Sequence, residues 1–422
     1  MGLRRKTYMQ VMIWTAAALV GEAAVLFARL VGLMQKGYFA LFAGHPYLMA
    51  AGTPLLFVVA TLLVQRFGPD ARGSGIPQVL EAIDRAQEAG KDDPPPWISS
   101  LVSLRTAVVK VLSSAVGTLA GASIGREGPT VQISASVFAA FGRFLRKRVP
   151  EVDFRTFLTA GAAAGVAAAF NAPLAGIAFA IEEVTEGILG EFREMIMLAV
   201  IVSGIAAMAM AGNYLYFGHP SLHPQSPILF PETLALAVVG GVAGGAFARL
   251  LAHPEIFALP KEPWRKALYC GILCSAVNFF SHGTTGGSGY EITKHYLESE
   301  SVGGWPLLFA PEKFFSTVLS YLSGMAGGIF SPCLSIGAAI GLSLAKICHL
   351  ANFKACALLG MVGFFSGVVQ APLTAVIIVM EMTDEHVLII PFLVAAYLSR
   401  IVARTIMPTP LYRFLADRSR TG

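Results

Sequence analysis

Charged side chains are scarce in this sequence. Only 14% of its 422 residues are Asp, Glu, Lys or Arg, whereas soluble globular proteins carry about 25%. Hydrophobic residues make up 55% of the chain, and the mean hydropathy is +0.65. This composition excludes an ordinary soluble domain and predicts a protein that lies largely within a lipid bilayer.

Cysteines and metal-binding patterns are also sparse. The five cysteines are odd in number and lie in or beside apolar stretches, which favours free, packed thiols over a disulfide framework. The sequence has no H-E-x-x-H pattern, no phosphate-binding loop with its lysine, and no basic domain interleaved with aromatic residues. We therefore expect no metal, no cofactor, no ATP-driven pumping and no nucleic-acid partner.

Long apolar runs are abundant, and several are long enough to cross the hydrocarbon core of a bilayer. The clearest are residues 8–34, 47–65, 102–123, 156–181, 191–212, 231–251, 307–330 and 355–382. They predict about ten crossing segments, because the longest runs can be divided. The first run is predicted to be a membrane helix and not a signal peptide, because no small-residue cleavage site follows a short core.

The net charge of +5 is distributed unevenly. Basic clusters occur at Arg4-Arg5-Lys6, at Arg143, Arg146, Lys147 and Arg148, and near the end at Arg400, Arg404, Arg413, Arg418 and Arg420. Positively charged loops tend to stay in the cytoplasm, so both termini are predicted to be cytoplasmic. The polar stretch 85–97 is expected to form a loop outside the membrane. Only a short tail is expected after Tyr412.

A weak internal repeat divides the chain. The first half contains Gly73-Ser74-Gly75-Ile76, then Gly125-x-x-x-Pro129, then Ala172-Pro173-Leu174 followed by Glu182. The second half contains Gly287-Ser288-Gly289-Tyr290, then Gly328-x-x-x-Pro332, then Ala371-Pro372-Leu373 followed by Glu381. Three matches in the same order predict two structural repeats, with a site where the halves meet.

Glycine-rich turns followed by proline interrupt the apolar runs at Ile76-Pro77, Gly128-Pro129 and Ser331-Pro332. Proline suits the first turn of a helix, and the first N–H groups of a helix are unpaired and carry partial positive charge. Broken backbone within a membrane needs protein or a water-lined cavity around it. Three such helix starts predict an anion site made of backbone amides. Kinked packing helices are the alternative.

Glu127 favours the functional interpretation. It lies at one of these helix starts between apolar segments, and an ionisable residue inside a membrane is costly and functional by default. A carboxylate is itself an anion, so it can occupy an amide-lined site in place of a transported anion, and we expect it to be protonatable. The alternative is a salt bridge with Arg126 or another base, although adjacent helical residues do not face each other.

Further acidic residues follow the two matching prolines. Glu182 and Glu183 form a second intramembrane pair, in which both side chains cannot readily be ionised together. One of them is expected to cap or bond to backbone and the other to exchange protons, unless both are structural. For Glu381 and Asp384 we favour a structural role, such as capping or an interhelical contact.

Gly121-Ala122-Ser123-Ile124-Gly125 fits the G-x-S-x-G pattern of hydrolases. That pattern requires a strand before the serine. A helical, small-residue run precedes Ser123 instead, with Gly117 and Gly121 spaced for close helix contact. An intramembrane serine hydrolase is therefore only a distant alternative, and no enzymatic activity is expected.

Taken together, these motifs resemble those of the CLC chloride channel and chloride/proton antiporter family, in its prokaryotic form without cytoplasmic regulatory domains. The resemblance runs from about residue 70 to residue 415 and rests on five segments. They are Gly73-Ser74-Gly75-Ile76-Pro77, Gly125-Arg126-Glu127-Gly128-Pro129, the stretch from Gly161 to Glu183, Gly328-Ile329-Phe330-Ser331-Pro332 and Pro410-Leu411-Tyr412. It implies an all-α polytopic fold with two inverted repeats of tilted, partly broken helices.

The resemblance also implies residue roles. The hydroxyls of Ser74 and Tyr412 and the amides of Ile329 and Phe330 would bind the central anion. Glu127 would be the outer gate and a proton carrier, and Glu183 the inner proton-transfer residue. Ser74 in place of proline implies chloride over nitrate, and the fluoride-exporting branch differs at the first signature and the tyrosine. Gln78-Val79 stands where relatives often place an acid, so an ion pair from that spot is not expected.

We therefore predict an electrogenic chloride/proton antiporter, with a passive voltage- or pH-gated chloride channel of the same fold as the alternative. Glu183 favours the antiporter, because channels of the family usually have an apolar residue there. One membrane transport domain is expected over residues 1–422, with repeat halves 47–212 and 231–407 and a C-terminal segment 408–422. The resemblance also implies a homodimer with one pathway per subunit, in a bacterial inner membrane.

Overall fold

The computed structural model describes residues 3–89, 98–149, 153–184, 193–212, 215–220, 229–299, 306–350 and 352–421. Within these ranges the chain is almost entirely helical, and the only β-type contacts are two isolated bridges, Gly73 with Ala326 and Gly125 with Gly328. Residues 90–97 of the predicted polar loop, and the first two residues of the apolar run 191–212, lie outside the described ranges.

Within the described ranges, nine helices precede residue 212. They are α1 (Leu3–Gly44), α2 (Pro46–Phe67), α3 (Ile76–Ala89), α4 (Ile98–Leu101), α5 (Leu104–Leu119), α6 (Glu127–Arg146), α7 (Phe154–Phe170), α8 (Pro173–Phe179) and α9 (Arg193–Ala211). One 3-10 turn, Pro69–Ala71, follows α2, and a π-helical turn, Ala180–Val184, continues α8.

In the described part of the chain after residue 228 there are nine more helices. They are α10 (Leu229–Ala252), α11 (Pro263–Phe280), α12 (Tyr290–Glu298), α13 (Pro306–Leu322), α14 (Phe330–Ile347), α15 (Phe353–Val369), α16 (Pro372–Thr383), α17 (Ile389–Ile406) and α18 (Leu411–Thr421). Two 3-10 turns, Pro254–Phe257 and His386–Leu388, lie before α11 and α17.

The three predicted helix starts are confirmed, since α3 begins at Ile76, α6 at Glu127 and α14 at Phe330. In each case the proline lies in the first turn, where its missing N–H costs no hydrogen bond. A glycine-rich stretch of irregular backbone precedes each start. These breaks leave the first amides of three helices inside the protein.

Two predicted crossing segments prove to be pairs of helices. The run 156–181 is divided at Asn171, and the run 355–382 at Gln370, where the backbone adopts the left-handed conformation. A proline starts the next helix in both cases. Within the described ranges, six helices are long and apolar enough to cross a bilayer alone: α1, α2, α9, α10, α14 and the segment from His386 through α17.

The end of the chain differs from the prediction of a short tail. Residues after Tyr412 form α18, which is fixed to α3 by an ion pair between Arg413 and Asp84 with a nitrogen–oxygen distance of 2.7 Å. Arg420 also pairs with Glu88. The sequence suggested only a tail because this helix is short and highly charged, and most of its stability comes from tertiary packing, with Leu411, Tyr412 and Ala416 completely buried.

The two halves of the chain pack their helices in the same way. Helix α6 lies along α7 in the first half, and α14 lies along α15 in the second. Two lysines are completely buried at matching places. Lys110 donates to the carbonyl of Gly73 over 2.9 Å, and Lys313 donates to the carbonyl of Gly287 over 2.6 Å. Each lysine side chain therefore holds the first glycine loop of its own half. All five cysteines are free, as predicted, and only Cys348 is exposed.

Candidate functional site

The loops before α6 and α14 meet at the centre of the protein. The amide of Gly125 donates to the carbonyl of Gly328 over 2.8 Å, and the amide of Gly328 returns the same bond over 2.8 Å. A β-carbon at Gly328 would lie only 2.9 Å from the ring of Pro129 and 3.0 Å from the carbonyl of Gly125. Glycine at position 328 is therefore required for this close approach, which brings the two helix starts together.

The loop that carries Ser74 contacts both the loop before α14 and the start of α6. Gly73 donates to the carbonyl of Met325 over 2.8 Å and accepts a bond from the amide of Gly327 over 2.9 Å. Gly73 and Gly75 both have positive φ, at 60° and 96°, which favours glycine. A β-carbon on Gly128 would collide with the Ser74 hydroxyl. The first and second signatures are thus in direct contact, and Ser74 faces the start of α6.

The hydroxyls of Ser74 and Tyr412 are buried without a hydrogen-bond partner among the described residues. Their side chains are 1% and 0% exposed, and the two hydroxyls are neighbours. The ring of Tyr412 stacks on Phe330, with ring centres 6.1 Å apart and planes inclined by 16°. Buried polar groups normally have partners, so two unpartnered donors at one place indicate a ligand site.

The first residues of α14 complete this environment. Ile329 is the residue before the helix, and Phe330 is its first residue. The first amides of a helix have no acceptor within the helix and carry partial positive charge. Since the ring of Phe330 stacks on Tyr412, the first amides of α14 lie near the Tyr412 side chain. The arrangement can hold a small anion with neutral donors.

The Glu127 carboxylate is buried at the start of α6, with 1% of its side chain exposed. Its Oε1 accepts hydrogen bonds from Ser331 over 2.6 Å and from the Tyr216 hydroxyl over 3.0 Å. Its Oε2 has no partner among the described residues and lies against Gly125, where a β-carbon would collide with it. Arg126 Nε is 4.0 Å from Oε1, so the proposed pairing with Arg126 is at most a long contact.

Tyr216 is a site residue that the sequence did not reveal. It lies in the segment 215–220 between α9 and α10, outside every repeat motif. Its hydroxyl bonds to Glu127, and its ring lies beside Phe170 with ring centres 6.2 Å apart. A short aromatic stretch, Tyr216-Phe217, between two apolar runs was the only available signal.

The two acidic residues of the pair separate into different roles. Glu182 accepts bonds from the amides of Leu373 and Thr374 over 3.1 and 2.7 Å, which caps α16. Glu183 is 6% exposed, and its Oε1 has no hydrogen-bond partner within the described part of the chain. The expectation that one member caps backbone is confirmed. Glu183 is close enough to Tyr412 for an electrostatic interaction.

Ser123 occupies a structural position. Its hydroxyl is 2.7 Å from that of Thr317, and its amide donates to the Ser320 hydroxyl over 2.9 Å. It follows helix α5 and not a strand. The G-x-S-x-G pattern is thus part of a helix contact between the halves.

A protein-family model described as "voltage gated chloride channel" matches residues 55–404, which is most of the chain. The chain belongs to this CLC family. The match includes Ser74, Glu127, Glu183, Ile329 and Phe330, and it ends shortly before Tyr412. The resemblance seen in the sequence motifs is thereby confirmed.

Two curated CLC relatives align with nearly the whole chain, and both are named H(+)/Cl(-) exchange transporter ClcA. The protein from Yersinia pestis bv. Antiqua (strain Angola) is 30% identical over 446 residues, covering 99% of this chain and 89% of that protein. The protein from Klebsiella pneumoniae (strain 342) is 31% identical over 454 residues, covering 99% of this chain and 90% of that protein.

Solved CLC structures have the same fold. A slow cyanobacterial Cl-/H+ antiporter superposes with a TM-score of 0.85 at 25% identity, covering 100% of this chain and 99% of that one. A CLC-type fluoride/proton antiporter superposes with a TM-score of 0.79 at 20% identity, covering 98% of this chain and 99% of that one. At this identity the similarity supports the fold alone. The predicted fold, a multi-pass all-α membrane protein with two inverted repeats of partly broken helices, is confirmed.

Proposed function

We propose that this CLC protein exchanges chloride for protons across a membrane, as a secondary active and electrogenic antiporter. The observation that carries the proposal is the buried Glu127 carboxylate, folded back over the helix breaks beside the unpartnered hydroxyls of Ser74 and Tyr412. A protonatable anion and a site suited to a free anion are thus adjacent. Competition between them couples the two ions.

Chloride binds between the two halves. The hydroxyls of Ser74 and Tyr412 donate to it, and the amides of Ile329 and Phe330 add the partial charge of the α14 start. No fully charged side chain donates to the ion, which keeps binding weak enough for release. No cofactor takes part, and the chemistry is ion binding and not catalysis.

Glu127 is the outer gate. When ionised, it folds back and takes hydrogen bonds from Ser331 and Tyr216. When protonated, it loses its charge and its attraction to the donors around it, so chloride displaces it. Each opening thus requires one proton on Glu127, which ties anion movement to protons.

Glu183 transfers protons toward the cytoplasm. Its neighbour Glu182 is occupied as a cap, so Glu183 is the member of the pair that is available for exchange. Arg413 and Arg400 both act electrostatically on Glu183.

The expected setting is a lipid bilayer, in a bacterial inner membrane with both termini cytoplasmic. The basic clusters at both ends support this orientation. A homodimer with one pathway per subunit is expected from the family resemblance.

Purified protein in liposomes tests the function. An outward chloride gradient should drive proton uptake that persists against a proton gradient, measured with a pH electrode beside a chloride electrode. Chloride flux without proton movement would identify a passive channel of the same fold. Liposomes without protein give the leak of both ions.

A further inference from the structure

We infer that Tyr216 latches the Glu127 carboxylate in its folded-back position and thereby sets the pH at which the outer gate opens. This inference rests on the proposed role of Glu127 as a gate. Tyr216 acts through Glu127 and is therefore a positioning residue.

The latch consists of two hydroxyl–carboxylate hydrogen bonds to one oxygen and one contact between the two hydroxyls. Glu127 Oε1 accepts the Tyr216 hydroxyl over 3.0 Å and the Ser331 hydroxyl over 2.6 Å, and these two hydroxyls are 3.2 Å apart. Tyr216 is 3% exposed. Bonds to a charged acceptor in a buried place are stronger than neutral ones. Both donors therefore stabilise the ionised, folded-back carboxylate.

Tyr216 is held rigidly by its surroundings. The amide of the next residue, Phe217, donates to the carbonyl of Met382 in α16 over 2.9 Å. The ring of Tyr216 meets the edge of Tyr290 with ring centres 4.9 Å apart, and the Arg126 guanidinium lies 5.4 Å from its centre. A side chain fixed in this way can position its hydroxyl without a large entropic cost.

Tyr216 also separates Glu127 from an open cavity. This cavity has a volume of about 290 Å³ and is lined by Tyr216, Tyr290 and Ser288, together with the charged residues Arg126, Lys36 and Glu291. These three charges and the Tyr216 and Tyr290 hydroxyls are the titratable or charged groups among the residues that line the cavity. Glu127 does not line this cavity, whereas Tyr216 and Arg126, which both contact Glu127, do.

The hydrogen bond from Tyr216 determines the direction in which its removal shifts the pH of gate opening. A donor to the ionised carboxylate favours the charged form over the protonated one. Removing the Tyr216 hydroxyl should let Glu127 take up a proton, and the gate open, at a higher pH. Loss of one such hydrogen bond corresponds to a shift of about one pH unit.

The test is the pH dependence of chloride flux in liposomes for wild type, Tyr216→Phe and Tyr290→Phe. Tyr216→Phe keeps the ring and removes only the hydroxyl, and its half-maximal flux should lie about one pH unit higher. Tyr290→Phe removes a hydroxyl from the same aromatic cluster but no bond to Glu127, and it should keep the wild-type profile. In a Glu127→Gln background, Tyr216→Phe should change the pH profile no further.

The outcomes separate the latch from the proposed function. If wild type exchanges chloride for protons and Tyr216→Phe keeps the wild-type profile, the latch is wrong. An equal shift in Tyr290→Phe, or a further shift in the Glu127→Gln background, also overturns it. If wild type moves no protons with chloride, the proposed function itself fails and the latch falls with it.

Discussion

Glu182 and Glu381 each cap the start of a helix in the other half of the protein. Glu182, after α8, accepts bonds from the first amides of α16 at Leu373 and Thr374. Glu381, at the end of α16, accepts bonds from the first amides of α8 at Leu174 and Ala175 over 3.1 and 2.7 Å. The four distances match pair by pair, so the two helices are joined by a reciprocal pair of carboxylate caps.

This pairing explains why two glutamates stand side by side at 182 and 183. The first satisfies helix amides that would otherwise lie unpaired in a membrane, where each such group costs several kcal/mol. Of these two glutamates, Glu183 is then the one whose carboxylate has an oxygen without a partner among the described residues.

The caps should contribute to stability. In Glu182→Gln and Glu381→Gln, one of the two carboxylate oxygens that accept backbone N–H bonds is replaced by a side-chain NH2 group, which cannot accept such a bond. Each should lower the free energy of unfolding by about 1–2 kcal/mol. The midpoint of thermal unfolding in detergent would decrease for both variants.

Glu183→Gln is the matched control for the caps. It changes the adjacent glutamate in the same way but removes no cap, so its unfolding midpoint should stay near that of wild type. A decrease as large as that of Glu182→Gln would show that the caps are not the cause.

The sequence predicted the parts of the site that rest on local backbone rules. Glycine before proline in an apolar run located the helix starts at Ile76, Glu127 and Phe330, because such breaks need both residue types. The matched spacing from proline to glutamate, in the first half and in the second, identified Glu182 and Glu381 as counterparts. It did not show that each caps the other's helix, because that depends on how the halves pack.

Features that depend on tertiary contacts were missed. Tyr216 has no motif, and it reaches Glu127 only through the anchoring of Phe217 on α16. The divisions at Asn171 and Gln370 lie within continuous apolar runs, where hydropathy gives no boundary and only the prolines two residues later, Pro173 and Pro372, mark the break. Helix α18 is short and rich in charge, and the burial of its apolar face, with Leu411 and Ala416, depends on packing that the sequence alone did not show.

Substitution of Glu127 should uncouple chloride movement from proton movement. Glu127→Gln keeps the size of the side chain but cannot ionise, so it should leave chloride flux while proton flux falls to the level of protein-free liposomes. Chloride flux should also lose its pH dependence. Simultaneous chloride and pH recordings measure this, and persistent proton uptake would show that Glu127 is not the gate.

Substitution of Glu183 should also stop protons while chloride continues to move. Glu183→Val removes the carboxylate on the Tyr412 side of the site, so no group there can pass protons onward. Unlike Glu127→Gln, this variant should retain pH-dependent chloride flux, because its gate still titrates. Full proton coupling in Glu183→Val would assign the inner transfer step to another residue.

Substitution of Gly125 should weaken the folded-back state of Glu127. The β-carbon of Gly125→Ala would meet the Glu127 carboxylate, while its other neighbours, Pro332 Cδ at 3.1 Å and Ser331 Cβ at 3.4 Å, are less crowded. A clash of about 1 kcal/mol on this state alone would raise the open fraction about fivefold. Chloride flux at alkaline pH, where wild type is mostly closed, should increase accordingly. Gly52→Ala, whose β-carbon would meet nothing within 4 Å, is the control, and an unchanged flux in Gly125→Ala would place the closed carboxylate elsewhere.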